Sequence, residues 1–498
     1  MKDRIALGLA AAAGILHLAF ANRYDLFRDE LYFIVCGSRP QWGYADQPPL
    51  VPLVAAALWN AGHQVWLVRL PSALAAAALV YLTVRFARAL GGGDAAAWAA
   101  GLPVAFGAMF LGITATLNTT TFEPAAWTAV ALLLYRAATG GDPRGLLAAG
   151  AIAGVAMEAK YALPLWLAAL FAGLLLTPER RVLARRELWL GLLIAVLIAL
   201  PSLAWQAANG LPFRALVAAA AGKNVAAPPG AFALGQLLAM NPLWAPLWLT
   251  GLLAPFALTA LRPARFLSIA FLLTAAVTVA QHGKDYYLAP AYPPLFALGA
   301  VVLARDVRAA WKRAALLAPG ALIAILAAPV ALPILDPPVL SAYVVRLGLV
   351  PEPQEKSARG IRLPQTFLDM LGWHDFVREI GTAWQAIPPE RRARTALLFD
   401  NYGEAAAIDV YGAAYGFPPA LSGHNQYGLW ALRGQHPVDV LRAERHIRDL
   451  RPYCGAVEIA GVTAAAYAMP YENGKTIAIC RNLRPALETL WPRLRQME

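Results

Sequence analysis

The residues best equipped for chemistry concentrate in a polar stretch, Tyr24–Pro49, that follows the first apolar run. It carries Arg28, Asp29, Glu30 and Asp46 among aromatic side chains and ends in Pro48-Pro49. More polar groups recur at the ends of later apolar runs: Glu123, Glu158, Lys160, and the run Lys284-Asp285-Tyr286-Tyr287. Carboxylates take up a proton, whereas ammonium and phenol groups hold an anion. A site assembled from both would therefore handle a proton and an anion together. From Asp29, residues Tyr32, Phe33 and Cys36 follow at +3, +4 and +7, one face of a helix. The plainer account of Asp29 and Glu30 is that two acids at a helix start complement its dipole, worth ~0.3–1 kcal/mol.

The elements that must position these groups are membrane helices. The chain has 498 residues, of which 59% are hydrophobic and 14% charged, against roughly 25% charged in a soluble domain. Apolar runs near the ~20 residues needed to span hydrocarbon are expected near 5–21, 66–84, 95–113, 124–139, 145–159, 161–177, 188–205, 243–261, 266–281, 287–304 and 314–333. The first run is kept as an anchor, because Tyr-Asp-Leu-Phe-Arg follows it in place of a small-residue cleavage site. The net charge of +12 lies in short basic clusters between runs, the positive-inside pattern, which excludes a nucleic-acid stripe. All these clusters can be cytoplasmic if there are eleven spans and an inner N-terminus. Asp29, Glu30, Asp46, Glu123, Glu158, Lys160, Lys284, Asp285, Tyr286 and Tyr287 are then expected on or near the outer face. A carboxylate at the bilayer centre costs ~2.5–3.5 kcal/mol, so these groups should gather at span ends.

Residues 206–241 read as a long outer loop without amphipathic order. The expected division is a transmembrane domain over 1–334 and an extracytoplasmic α/β domain over 335–498, entered through Pro-rich ILDPP and VPEP. In the latter, Leu397–Phe399 reads as a strand, followed by a turn and a helix, with further strands near 456–460 and 475–480. No nucleotide-binding glycine fingerprint or P-loop occurs, so no nucleotide cofactor is expected; Gly91-Gly92-Gly93 reads as a helix stop. His63, His282 and His424 lack ligand-like spacing and read as surface or structural residues. Trp42 and Tyr44 read as interfacial anchors or as platforms for a sugar ring.

RDELYF (28–33), GYADQPPL (43–50) and GKDYYLAPAYPPL (283–295) resemble glycosyltransferase family 39. These are polyprenyl-phosphate-sugar-dependent enzymes of the GT-C superfamily, relatives of protein O-mannosyltransferases and lipid A aminoarabinose transferases. The resemblance covers about residues 5–310, and its adjacent Asp-Glu hallmark falls on Asp29 and Glu30. NYGEAAAIDVYG (401–412) and SGHNQYGLW (422–430) resemble the outer domain of one bacterial branch. One departure is Glu123, in TTTFEPAAW, where many relatives carry Asp.

The resemblance implies an inverting transferase in a bacterial inner membrane, with its site and C-terminal domain outside and with roles in envelope or lipopolysaccharide modification. Its partners would be a polyprenyl-phosphate-linked sugar, a lipid, glycan or protein acceptor, and membrane lipids. A phosphate monoester leaves readily as an anion, so the acceptor hydroxyl needs a base more than the donor needs an acid. That base is assigned to Asp29, with Glu30 orienting it or binding a substrate hydroxyl. Lys284, Tyr286 and Tyr287 are phosphate ligands on this reading, with Lys160 either joining them or neutralised by Glu158 or a backbone carbonyl. Asp46 binds substrate, Arg28 pairs with a nearby carboxylate, and Glu123 is the candidate ligand of a divalent metal. The alternative function is a transporter or flippase of lipid-linked substrate, against which the polar groups' place at span ends argues. Cys454 and Cys480 would form a disulfide in an oxidising compartment if their Cα atoms come within about 7 Å; free buried cysteines are also common.

Overall fold

The computed structural model describes residues 3–223, 228–349, 361 and 363–497; the VPEP linker lies outside the described residues. The chain is mostly helical, with one small sheet near its C-terminus. Its contacts gather into two compact units, one of residues 1–23, 66–204 and 226–335, the other of residues 24–65, 205–225 and 336–498.

In the first unit, every expected apolar run is helical. By length and composition, four helices among the described residues can cross a membrane: Val65–Ala89, Arg186–Ala208, Thr259–Ala280 and Ala310–Ala331. A fifth candidate is the pair Asp285–Ala291 and Pro293–Asp306, bent by 56°. Other runs form shorter helices. The 95–113 run breaks at Gly107 into Asp94–Phe106 and Ala108–Ile113, just past Pro103, whose ring cannot continue a helical ladder. In Arg186–Ala208 and Ala310–Ala331 only 22% of the most apolar window is buried. Leu197, Leu200, Leu322 and Ile325 stand exposed on them. Apolar helices with apolar outer faces are at equilibrium in lipid, not water. The unit's interior is built from small residues: Ala96, Ala97, Ala99 and Ala100 are fully buried where Asp94–Phe106 packs on Pro293–Asp306. Small side chains let helix backbones approach closely in a membrane.

The loop expected over 206–241 is corrected by two helices, Pro212–Lys223 and Pro229–Ala239. Each starts with proline at its first position, whose fixed φ suits a helix start. The Ala-rich sequence of the first carries high helix propensity that its weak periodicity concealed.

In the second unit, the helix Arg28–Gly37 packs on Leu50–Gly62 and on Tyr402–Tyr411. A Cβ at Gly37 would lie 1.9 Å from the Pro52 carbonyl oxygen, so no larger residue permits this approach. The sheet has five strands: β1 (Thr395–Phe399), β2 (Leu421–Ser422), β3 (Asp439–Glu444), β4 (Cys454–Val462) and β5 (Thr476–Leu483). Their order is β2-β1-β3-β5-β4. β1 pairs in parallel with β2 and β3, and β5 runs antiparallel to β3 and β4. β1 is buried along its whole length, as its unbroken apolar run requires. The expected strands are thus β1, β4 and β5. The sequence reading missed β2 and β3, which are short or mixed in polarity. It also missed the amphipathic helix Trp373–Gln385, which buries Trp373, Phe376, Val377, Ile380 and Trp384.

Candidate active site

In the second unit, Asp29 sits in the first turn of Arg28–Gly37. The helix start is fixed by Glu30, which is fully buried and accepts a 2.8 Å hydrogen bond from the Phe27 N–H. One oxygen of Glu30 thus caps its own helix. Asp29 faces the other way: its side chain is 31% exposed. Tyr402 Oη donates to Asp29 Oδ1 at 2.7 Å, while Oδ2 accepts no hydrogen bond from the described residues.

Tyr402 is held from three sides. Its ring lies 4.5 Å from that of Tyr32 and 4.8 Å from that of His424, and the Arg28 guanidinium sits 5.3 Å from its centroid. Burial raises the Tyr402 phenol well above its ordinary pKa, so the hydroxyl keeps its proton and remains a donor. Arg28, expected to pair locally, meets Asp369 at 3.6 Å and Asp29 at 3.8 Å, and donates to Tyr471 Oη at 2.5 Å. The NYGE segment behind this arrangement is itself anchored. Asn401 Oδ1 caps the helix through the Glu404 N–H, and the fully buried Glu404 accepts from Lys475 Nζ at 2.6 Å. Lys475 also meets Asp400 at 3.0 Å. Burial, together with Glu404, pushes the neighbouring Glu472 carboxyl well up, toward the neutral form.

Asp46 belongs to the same unit. Tyr32 Oη donates to its Oδ1 at 2.9 Å and Asn425 Nδ2 to its Oδ2 at 3.0 Å. Tyr32 Oη in turn accepts from the Gln426 N–H, and Gln426 Oε1 accepts from the Ala45 N–H. Burial pushes the Asp46 carboxyl up to about 6, and repulsion from Asp29 adds to it, against the hydrogen bonds that favour the anion. The NYGE and SGHNQ motifs therefore supply hydrogen-bond donors to two carboxylates of the first polar stretch, Asp29 and Asp46. Sequence reading quoted both motifs and Tyr32 but gave Tyr402, Asn425 and Tyr32 no role, since nothing in linear spacing joins residue 29 to residue 402. Tyr44 is corrected: it is fully buried and donates to the Cys36 carbonyl at 2.8 Å, so it neither anchors at an interface nor stacks on a sugar. Trp42 is 66% exposed.

In the first unit, Glu123 opens the helix Glu123–Ala138, with Pro124 following it. Its Oε2 meets Lys160 Nζ at 2.9 Å, and Lys160 also donates to Thr120 Oγ1 at 2.8 Å. The ammonium lies 5.8 Å from the Tyr286 ring and 5.0 Å from that of Tyr287. The carboxylate beside Lys160 is thus Glu123, whereas Glu158 accepts from Ser202 Oγ at 2.8 Å. Lys284 caps the start of Asp285–Ala291 and is half-buried. Glu123, Lys160, Tyr286 and Tyr287 therefore form one cluster, with a cation, a counter-ion and two phenols. Among the described residues no group of three or more His, Cys, Asp or Glu side chains could hold a metal ion, and Glu123 already has a cation beside it. That donor set does not fit a protein-held metal centre.

A family model described as dolichyl-phosphate-mannose-protein mannosyltransferase matches residues 46–205. No curated protein matches the chain in sequence. Among solved structures, ArnT from Cupriavidus metallidurans bound to undecaprenyl phosphate is similar with a TM-score of 0.65 at 14% identity, covering 96% of this chain and 98% of that one. The apo form of the same protein gives a TM-score of 0.61 at 14% identity, covering 94% and 97%. The likeness thus runs through the membrane helices and the C-terminal sheet alike. The chain thus shares the fold of these ArnT structures along nearly its whole length, and its residues 46–205 match the mannosyltransferase family model.

Proposed function

We propose that the protein is an inverting membrane glycosyltransferase that moves a sugar from a polyprenyl-phosphate donor to a hydroxyl of an exported lipid, glycan or protein. The observation that carries this reading is Asp29: a partly exposed carboxylate with one oxygen hydrogen-bonded and the other open, beside carboxylates that are buried. The acceptor oxygen attacks the anomeric carbon as its proton passes to Asp29 Oδ2. The bond from that carbon to the phosphate oxygen breaks on the opposite side, and the polyprenyl phosphate leaves with the electron pair. A single displacement inverts the anomeric centre. Charge developing on the phosphate calls for fixed donors and cations, which Lys160, Tyr286, Tyr287 and Lys284 supply on this reading. Asp46 binds a sugar or acceptor hydroxyl, and Glu123 orients Lys160. The reaction occurs on the outer face of a bacterial inner membrane, in keeping with the alternation of basic clusters.

The test uses membranes containing the full chain, a panel of undecaprenyl-phosphate pentoses and hexoses, and a bacterial envelope-lipid and glycan extract as acceptor. Wild type transfers at least one sugar, and Asp29→Asn, expressed to the same level, loses transfer by about 10²–10⁴-fold. Transfer from none of the donors would overturn the reading; wild-type turnover by Asp29→Asn would remove Asp29 as the base.

A further inference from the structure

The C-terminal region contributes a side chain to the chemistry of the first polar stretch. Resting on the reading of Asp29 as the base, we propose that Tyr402 is its positioning residue: the Tyr402 hydroxyl holds Asp29 Oδ1 and so presents Oδ2 to the acceptor's proton. The 2.7 Å hydrogen bond is the shortest contact that Asp29 makes among the described residues. A carboxylate in the first turn of a helix has two soft torsions, and one strong donor on one oxygen removes most of that freedom.

The donor is itself immobilised. Stacking on Tyr32, contact with His424 and the guanidinium of Arg28 fix the ring, and Asn401 fixes the helix start from which it projects. Residue 403 is glycine, and the Arg28 stem lies where its Cβ would be. None of these supports uses the hydroxyl, whose one hydrogen-bond partner among the described residues is Asp29. A purely architectural aromatic at this place would need no oxygen.

Removing the hydroxyl leaves Asp29 Oδ1 without its donor and the carboxylate free to turn about its side-chain torsions. The charged and titratable groups around the pair are Arg28 and Tyr32 from the same helix, Asp46 from the following loop, Asp369 and Tyr471 on Arg28, and His424 on the Tyr402 ring. All persist when the hydroxyl alone is deleted, so they do not mimic its loss.

The experiment measures kcat and KM for wild type, Tyr402→Phe, Asp29→Asn and full-length protein carrying 3-fluorotyrosine at position 402, using whichever undecaprenyl-phosphate sugar of the panel wild type turns over. Tyr402→Phe keeps every ring contact, and its kcat should fall about ten-fold or more, with little change in KM for the donor. 3-Fluorotyrosine keeps a donor hydroxyl at nearly the same size and should hold kcat within about two-fold of wild type. A 3-fluorotyrosine protein as slow as Tyr402→Phe overturns the inference. If Asp29→Asn is inactive while Tyr402→Phe has the wild-type kcat, this inference falls and the base assignment stands. If Asp29→Asn keeps full turnover, the base assignment itself falls and the inference with it.

Discussion

Arg28 lies against Gly403 so closely that a Cβ at position 403 would come within 2.5 Å of Arg28 Cγ and 2.8 Å of its Cδ. A long side chain could ordinarily swing away. Here Arg28 is 14% exposed and tied to Asp369, Tyr471 and the Tyr402 ring, so it cannot move without losing them. Gly403→Ala should therefore destabilise the protein by ~1–3 kcal/mol through overpacking and lower turnover several-fold by displacing Tyr402. Thermal melts and transfer assays in detergent check both. A variant as stable and as active as wild type would mean that the Arg28–Gly403 contact yields freely.

Lys160 and Glu123 form a pair whose acid is 4% exposed and whose second oxygen, Oε1, has no hydrogen-bond partner in the described structure. Lys160→Met leaves that carboxylate without its cation, which for a buried pair costs about 3–5 kcal/mol. Converting both, as Lys160→Met with Glu123→Gln, should recover much of the stability and none of the transfer. The comparison separates structure from chemistry: a double variant that regains turnover would remove this pair from the phosphate site.

Asp46 should make stability depend on pH. Its carboxyl is pushed up to about 6 by burial, against about 3.9 in an unfolded chain. Between those values the folded state holds a proton that the unfolded state has released. Stability contributed by this group therefore falls as pH rises from about 4 to about 6, and is level above that. Asp46→Asn should flatten this part of the curve. Melting temperatures of wild type and variant from pH 4 to pH 7, plotted as a difference, decide it; a constant difference would show that Asp46 does not titrate in this window.

Cys454 and Cys480 are disulfide-bonded, with Cα atoms 5.2 Å apart, at the level where β4 and β5 pair. Their separation of 26 positions gives about 3–4 kcal/mol of stabilisation in the chain-entropy model. Alkylation of the denatured, unreduced protein should label Cys36 alone, and reduction should add two labels. Protein from membranes that labels three thiols before reduction would exclude the bridge, and with it the oxidising compartment assumed for the C-terminal region.

Much of this protein is written locally. Apolar runs of near-membrane length, basic clusters between them, and the Asp29 helix with its +3, +4, +7 face are one-dimensional signals, and each apolar run proved helical. A strand such as β1 is legible because a short continuous apolar run bounded by Asp400 and Asn401 has few other uses. Where the sequence reading erred, the deciding force was not periodic. The helices in 206–241 rest on alanine propensity and proline starts, and β2 and β3 are held by pairing to β1. The site's organisation lay furthest out of reach. That Asp29 is held by Tyr402, Asp46 by Asn425, and Lys160 by Glu123 depends on contacts across 373, 379 and 37 positions. Sequence determined which chemical groups were present and which could share a face of the membrane. Only tertiary structure decided which carboxylate was buried and which was left open to take a proton, because burial, and the Tyr402 donor on Asp29, come from distant segments.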